Sequence, residues 1–157
     1  FLKTEKGQMM AGQLQGILHP ATLMHPAPVF AVKDLYGNNI QLNPTGKYLV
    51  LNFWASWCGP CIVEFPFYQT LQHAFPVNKL DIVGVNMDRN MSDCAKIISG
   101  KNMTWIQVFD QGRKISNSYG IKALPTTVVI DDKGIIIYRK EGIDTSNLRA
   151  LLNSKLL

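Results

Sequence analysis

Cys58 and Cys61 enclose Gly59-Pro60 and follow an almost continuously apolar run, Tyr48–Trp54 (YLVLNFW). Thiols three residues apart can bridge within one turn of helix. If a helix opens at the first of them, its N-terminus carries roughly half a unit of positive charge, which favours a thiolate there. Cys58 is then the exposed thiol, its pKa lowered by free backbone N–H groups, and Cys61, one turn in, is the shielded one. Thiol–disulfide exchange requires that asymmetry: one sulfur attacks, a mixed disulfide forms, and the second sulfur resolves it. Structural zinc wants four N/S ligands, but there is no second closely spaced pair and His19, His25 and His73 are scattered. Ile62 stands where haem attachment needs histidine. No metal and no other cofactor is expected.

Glu64 lies three residues beyond Cys61, on nearly the same helical face. It can relay a proton to or from Cys61, or it can be a solvated first-turn carboxylate that suits the helix dipole; both readings stand at this point. Pro66 falls inside the expected helix, so the helix is either kinked there or ends at Phe65. Cys94 sits in an apolar stripe with Ile97 and Ile98, as a small buried hydrophobe does; a redox-active or intermolecular thiol is the alternative.

The elements that must hold this pair follow from periodicity and turn chemistry. Val29–Val32 and Ile40–Leu42 flank a Tyr36-Gly37-Asn38-Asn39 turn and read as a hairpin. Tyr48–Trp54 reads as a central strand buried on both faces, followed by a helix over about 58–73. Leu80–Asn86 is a second buried strand. A helix over Ser92–Ser99 ends with Gly100 as its cap. A short strand over Trp105–Phe109 and a helix over Lys114–Tyr119, stopped at Gly120, come next. Thr126–Ile130 and Ile135–Lys140 form a second hairpin, and a helix over Thr145–Leu157 closes the chain. Strands alternating with helices before an antiparallel hairpin predict a mixed sheet covered by helices on both faces.

The 157 residues suffice for one domain with a core of its own, and 46% hydrophobic content excludes intrinsic disorder. Three cysteines exclude a disulfide-stapled scaffold, because at most one pair can form. Sixteen Lys+Arg against eleven Asp+Glu give a formal charge of +5, too dispersed along the chain to mark a nucleic-acid surface. No apolar span of about 18 residues crosses a membrane. Upstream, Met10, Leu14, Ile17 and Leu18 recur at helical spacing before Pro20, predicting a short amphipathic helix in an N-terminal extension, residues 1–25. That helix packs on its own domain or serves a homodimer or membrane-proximal contact. The chain opens at Phe1, without an initiator Met, and is read as a mature or trimmed form that had a signal peptide or anchor.

Phe53-Trp54-Ala55-Ser56-Trp57-Cys58-Gly59-Pro60-Cys61 resembles the thioredoxin active-site segment. The surrounding pattern is closer to the exported TlpA/ResA/CcmG (DsbE) branch of that superfamily, over residues 26–157. Pro26-Ala27-Pro28-Val29-Phe30 resembles its opening strand, Glu64-Phe65-Pro66 follows the cysteines as in that branch, and a helical segment is added after the active-site helix. Tyr119-Gly120-Ile121-Lys122-Ala123-Leu124-Pro125-Thr126-Thr127 is similar to its proline loop. The resemblance implies an α/β thioredoxin-like fold with an N-terminal hairpin. It also implies a cis Pro125 facing the cysteines, and a substrate strip of Trp57, Gly59, Pro60, Leu124 and Pro125, with Trp57 covering the disulfide and Trp54 in the core. Asn52 departs from the aspartate that cytosolic thioredoxins bury there, which shifts any carboxylate role toward Glu64.

The activity implied is protein thiol–disulfide exchange in the bacterial periplasm or on a membrane anchor facing it. The Gly-Pro dipeptide resembles that of reducing thioredoxins, which implies a reductant of specific protein disulfides, as in cytochrome c maturation, recharged by a membrane thiol donor. An oxidase or isomerase, and a partner-binding module built on the N-terminal helix, are the alternatives. A peroxidase, as in the peroxiredoxins that share the opening strand, would need threonine where Ala55 stands.

Overall fold

In the computed structural model, residues 21–42 and 46–157 are described; the expected N-terminal helix lies outside them. Two strands, β1 (Phe30–Lys33) and β2 (Asn39–Leu42), pair antiparallel as a separate hairpin. Its turn is tied by Asp34, whose Oδ1 accepts the N–H groups of Tyr36 and Asn38 at 2.8 and 2.9 Å.

The main sheet contains β3 (Tyr48–Trp54), β4 (Leu80–Asn86), β5 (Ile106–Phe109), β6 (Thr126–Ile130) and β7 (Ile136–Glu141), in the order β5-β4-β3-β6-β7. β3 runs parallel to β4 and antiparallel to β6, with Trp54 opposite Asn86 and Phe53 opposite Thr126. Thus the end of β3, the end of β4 and the start of β6 meet at one edge of the sheet. In sheets with parallel strands, functional groups gather outside the carboxyl ends of those strands.

Both faces of β3 are buried, and its side chains alternate between two cores. Val50 and Trp54 face one, built with α1 (Gly59–Ala74), α2 (Met91–Gly100) and α4 (Thr145–Leu156) through Phe65, Tyr68, Ile98, Leu148 and Leu152. Leu49, Leu51 and Phe53 face the other, closed by the hairpin and α3 (Lys114–Ser118) through Phe30, Leu42, Ile115 and Tyr119. The expected mixed sheet with helices on both faces is what forms, the hairpin sharing the second face with α3.

One local outcome differs from expectation. Gly100 is not the cap of α2 but its last residue; Lys101 caps the helix by donating its N–H to the Ile97 carbonyl at 2.9 Å, and the left-handed residue is Asn102 (φ 51°). At Pro66 the continuing helix is the reading that holds: α1 runs through it and does not end at Phe65. Pro66 lacks the N–H that would bond Ile62, but the flanking turns are held by burial of Phe65, Tyr68 and Leu71.

Gly84 in β4 lets the Gln107 side chain of β5 lie across its Cα and accept the Trp54 indole N–H at 3.0 Å. A Cβ at Gly84 would run into the Gln107 amide, with its Cδ at 2.7 Å. Gly84→Ala should therefore destabilise the fold by about 1–3 kcal/mol through overpacking, measured by urea denaturation. Gly59→Ala, which meets nothing within 4 Å, should leave the midpoint close to wild type.

Candidate functional site

β3 ends at Trp54, and the chain turns through Ala55, Ser56 and Trp57 into α1. Cys58 is the N-cap, with extended backbone (φ −90°, ψ 100°), and its Sγ accepts the Cys61 N–H at 3.2 Å. A helix start leaves its first N–H groups without intrahelical partners, and an N-cap side chain normally satisfies one with oxygen. Here sulfur does so. Cys58 and Cys61 are disulfide-bonded, with Cα atoms 5.3 Å apart.

Cys58 is the less shielded of the pair, as expected, but in this bridged state it is far from open: 5% exposed against 0% for Cys61. Both cysteines belong to the core cluster that β3 and α1 build. Trp57 stands next to the pair in sequence; it is 69% exposed and makes no ring contact among the described residues. Gly59 and Pro60 are exposed beside it, while Trp54 is wholly buried, edge-on to Phe65 at 5.2 Å.

The Leu124–Pro125 bond is cis, as expected. Pro125 is buried and its carbonyl accepts the Gly142 N–H at 2.8 Å. Leu124, half-buried, has no backbone hydrogen bond among the described residues. Thr126, two residues on, lies opposite Phe53, which brings this unpaired backbone to the edge of the sheet where β3 ends.

Glu64 is not solvated. It is 3% exposed in the core face of α1, and its Oε1 has no hydrogen-bond partner among the described residues. Burial disfavours the charged form and pushes its pKa up to about 7. Tyr68, one turn further along, is also pushed well up, first by burial and then by the nearby Glu64. The Tyr68 hydroxyl lies 3.2 Å from Asn52 Nδ2, which donates to it, and 2.8 Å from Thr127 Oγ1. Asn52 therefore holds Tyr68 instead of presenting a carboxylate beneath the disulfide. Cys94 is fully buried, and burial, with Asp88 second, pushes its pKa up to about 12.

Sequence reasoning missed Asp88. Its carboxylate accepts the Ser56 N–H at 3.1 Å, the Ser56 hydroxyl at 2.9 Å and Asn86 Nδ2 at 2.8 Å. The signal that could have found it is positional: an acidic residue just past the buried β4 run, at the edge where the site must lie. Gln107, the acceptor for Trp54, left no comparable signal in a short strand. Among the described residues no three His, Cys, Asp or Glu side chains cluster as metal ligands, and no helix is long and apolar enough to cross a membrane.

The sheet order, the bridged pair at the start of α1 and the neighbouring cis proline define a thiol–disulfide oxidoreductase of the thioredoxin fold. The chain belongs to the AhpC/TSA family, whose pattern matches residues 23–139. It is similar to the thiol-disulfide oxidoreductase ResA of Bacillus anthracis, 32% identical over 120 residues, covering 76% of this chain and 69% of that protein. Among solved structures it is similar to StoA from Bacillus subtilis (30% identity, TM-score 0.71, 81% of this chain and 97% of that one). It is likewise similar to the thioredoxin domain of a thiol-disulfide oxidoreductase from Bacteroides vulgatus (28% identity, TM-score 0.77, 87% and 99%).

Glu64 also sets a stability dependence. With its native pKa raised, the folded protein keeps a proton that the unfolded chain releases above the ordinary carboxyl range. The native state then binds more protons than the unfolded one, so stability falls as pH rises from about 4.5 to about 7 and levels off above. Chemical denaturation of wild type and Glu64→Gln should show the variant gaining about 3 kcal/mol on wild type between pH 4 and pH 8. Parallel pH profiles would show that the carboxyl is not held neutral.

Proposed function

We propose that this protein is a protein-disulfide reductant of the bacterial envelope, working through the Cys58/Cys61 dithiol. The observation that carries the reading is Cys58 Sγ at the N-cap of α1, where the Cys61 N–H and the helix dipole would stabilise a thiolate in the reduced form. Cys58 attacks one sulfur of a substrate disulfide, and the other leaves as a thiolate that takes up a proton. Cys61 then gives up its proton and attacks Cys58. The second substrate sulfur is released, protonated, and the Cys58–Cys61 bridge forms. The substrate has gained two electrons and two protons, and this protein has lost them.

Glu64, three residues beyond Cys61 and with a pKa near neutrality, carries the proton that Cys61 gives up; its burial and raised pKa support that role. Trp57, Gly59 and Pro60 form the exposed face beside the pair. The unpaired backbone of Leu124, next to Pro125, offers main-chain hydrogen bonds to an extended substrate segment in the manner of strand addition. Ala55, three residues before Cys58, has no hydroxyl with which to serve a peroxidase.

The periplasmic setting, specific partners such as those of cytochrome c maturation, and a membrane thiol donor that returns two electrons to the bridge belong to the same proposal. Its support is the likeness to ResA and the Gly-Pro dipeptide between the cysteines.

Cys61→Ser should trap substrate proteins on Cys58 as mixed disulfides that resolve with dithiothreitol, and Cys58→Ser should trap none. If neither variant traps, and the reduced wild type does not cleave a model protein disulfide, the reading fails.

A further inference from the structure

Asp88 has no part in the exchange steps, yet it is the buried carboxylate tied most directly to the segment that presents Cys58. It follows the last residues of β4 and is 6% exposed. Every hydrogen bond of its carboxylate is as an acceptor: both oxygens receive the Ser56 N–H at 3.1 Å, Oδ1 receives the Ser56 hydroxyl at 2.9 Å, and Oδ2 receives Asn86 Nδ2 at 2.8 Å. The Asp88 N–H in turn donates to Asn86 Oδ1 at 2.9 Å, closing a two-way link between those neighbours. An acceptor-only carboxylate saturated by donors is the arrangement of an ionised group.

No cation among the described residues forms an ion pair with it. The ion pair present among the described residues is Lys47–Asp81, on another part of the surface. Arg89 and Lys122, on the flanking loops, are exposed and make no ion pair. Glu64 on α1 is the other carboxyl group near the cysteines, and Tyr68 on α1 and Tyr138 on β7 are the further titratable groups on that face. The charge of Asp88 already reaches one thiol, Cys94. Ser56 is two residues from Cys58, so their Cα atoms are at most about 7 Å apart.

We propose that Asp88 is a positioning residue that keeps the couple reducing: through Ser56 it fixes the Ala55–Trp57 turn, and as an anion with no ion-pair partner among the described residues it disfavours the Cys58 thiolate. A less stable thiolate means a less stable reduced form, and hence a stronger reductant. The inference rests on the reading that Cys58 is the attacking sulfur. As a general measure, a full charge about 10 Å from a thiol at an effective dielectric near 20 alters its acidity on the order of tenfold.

Asp88→Asn keeps an oxygen for Ser56 and removes the charge. In the reduced variant the pH midpoint for Cys58 alkylation should fall, and equilibration with glutathione should favour the reduced protein about fivefold more than in wild type. Ser56→Ala, which keeps the charge, should leave that equilibrium within twofold. A purely structural role would lower stability in both variants and leave the equilibrium unmoved. An Asp88→Asn equilibrium within twofold of wild type, or shifted toward the bridged form, overturns the proposal. Should that variant fail to fold, carbon-13 NMR of reduced wild type decides: the Asp88 carboxyl signal should move as Cys58 titrates, and a flat signal overturns the proposal. If alkylation of reduced wild type instead strikes Cys61 first, the functional reading itself is wrong, and this inference falls with it.

Discussion

A sulfur atom occupies the place where a helix ordinarily asks for oxygen. Cys58 ends the turn after a strand buried on both faces and caps α1, so its Sγ faces N–H groups that no helical carbonyl can satisfy. Those groups favour an anion at that point and at no later position in the helix. Cys61, one turn inward, lies against Trp54 and Phe65 in the core. The difference between an attacking and a resolving sulfur is thus written into the junction of one strand and one helix. The rest of the fold holds that junction still.

Two buried carboxyl groups near this junction are treated in opposite ways. Asp88 is saturated with donors from Ser56 and Asn86, so it can keep its charge at depth. Glu64 lies in apolar surroundings with an oxygen left unpartnered, and burial moves its titration to about 7. Identical chemistry in different surroundings yields a fixed charge at one place and an exchangeable proton at the other. Asn52 sharpens the contrast, because the amide hydrogen-bonded to Tyr68 leaves Glu64 as the titratable group on α1 beside the pair.

Much of this was legible in the residues alone. The apolar run of β3 and the spacing of Cys58 and Cys61 placed the pair at a strand–helix junction, and the Tyr119–Thr127 resemblance placed a cis proline opposite. Short-range patterns carry such information, since burial on both faces removes the alternation of a half-exposed strand. What was not legible depended on contacts far apart in sequence. The depth of Glu64 required knowing how α1 sits on the sheet, since an acidic residue in a first turn reads equally well as solvated. The Asp88–Ser56 clamp spans 32 residues, and the Trp54–Gln107 bond 53. Gly100 misled because glycine after a helix is a common cap, whereas Asn102 took the left-handed turn instead.

The reduction potential of the Cys58/Cys61 couple tests most directly whether this site delivers electrons to its partners. Equilibration with a glutathione or dithiothreitol buffer should give a value near that of thioredoxin, about −270 mV. A value near about −120 mV, typical of a strong oxidant, would contradict it, because the thiolate at the head of α1 would then be stabilised far beyond what a donor of electrons requires.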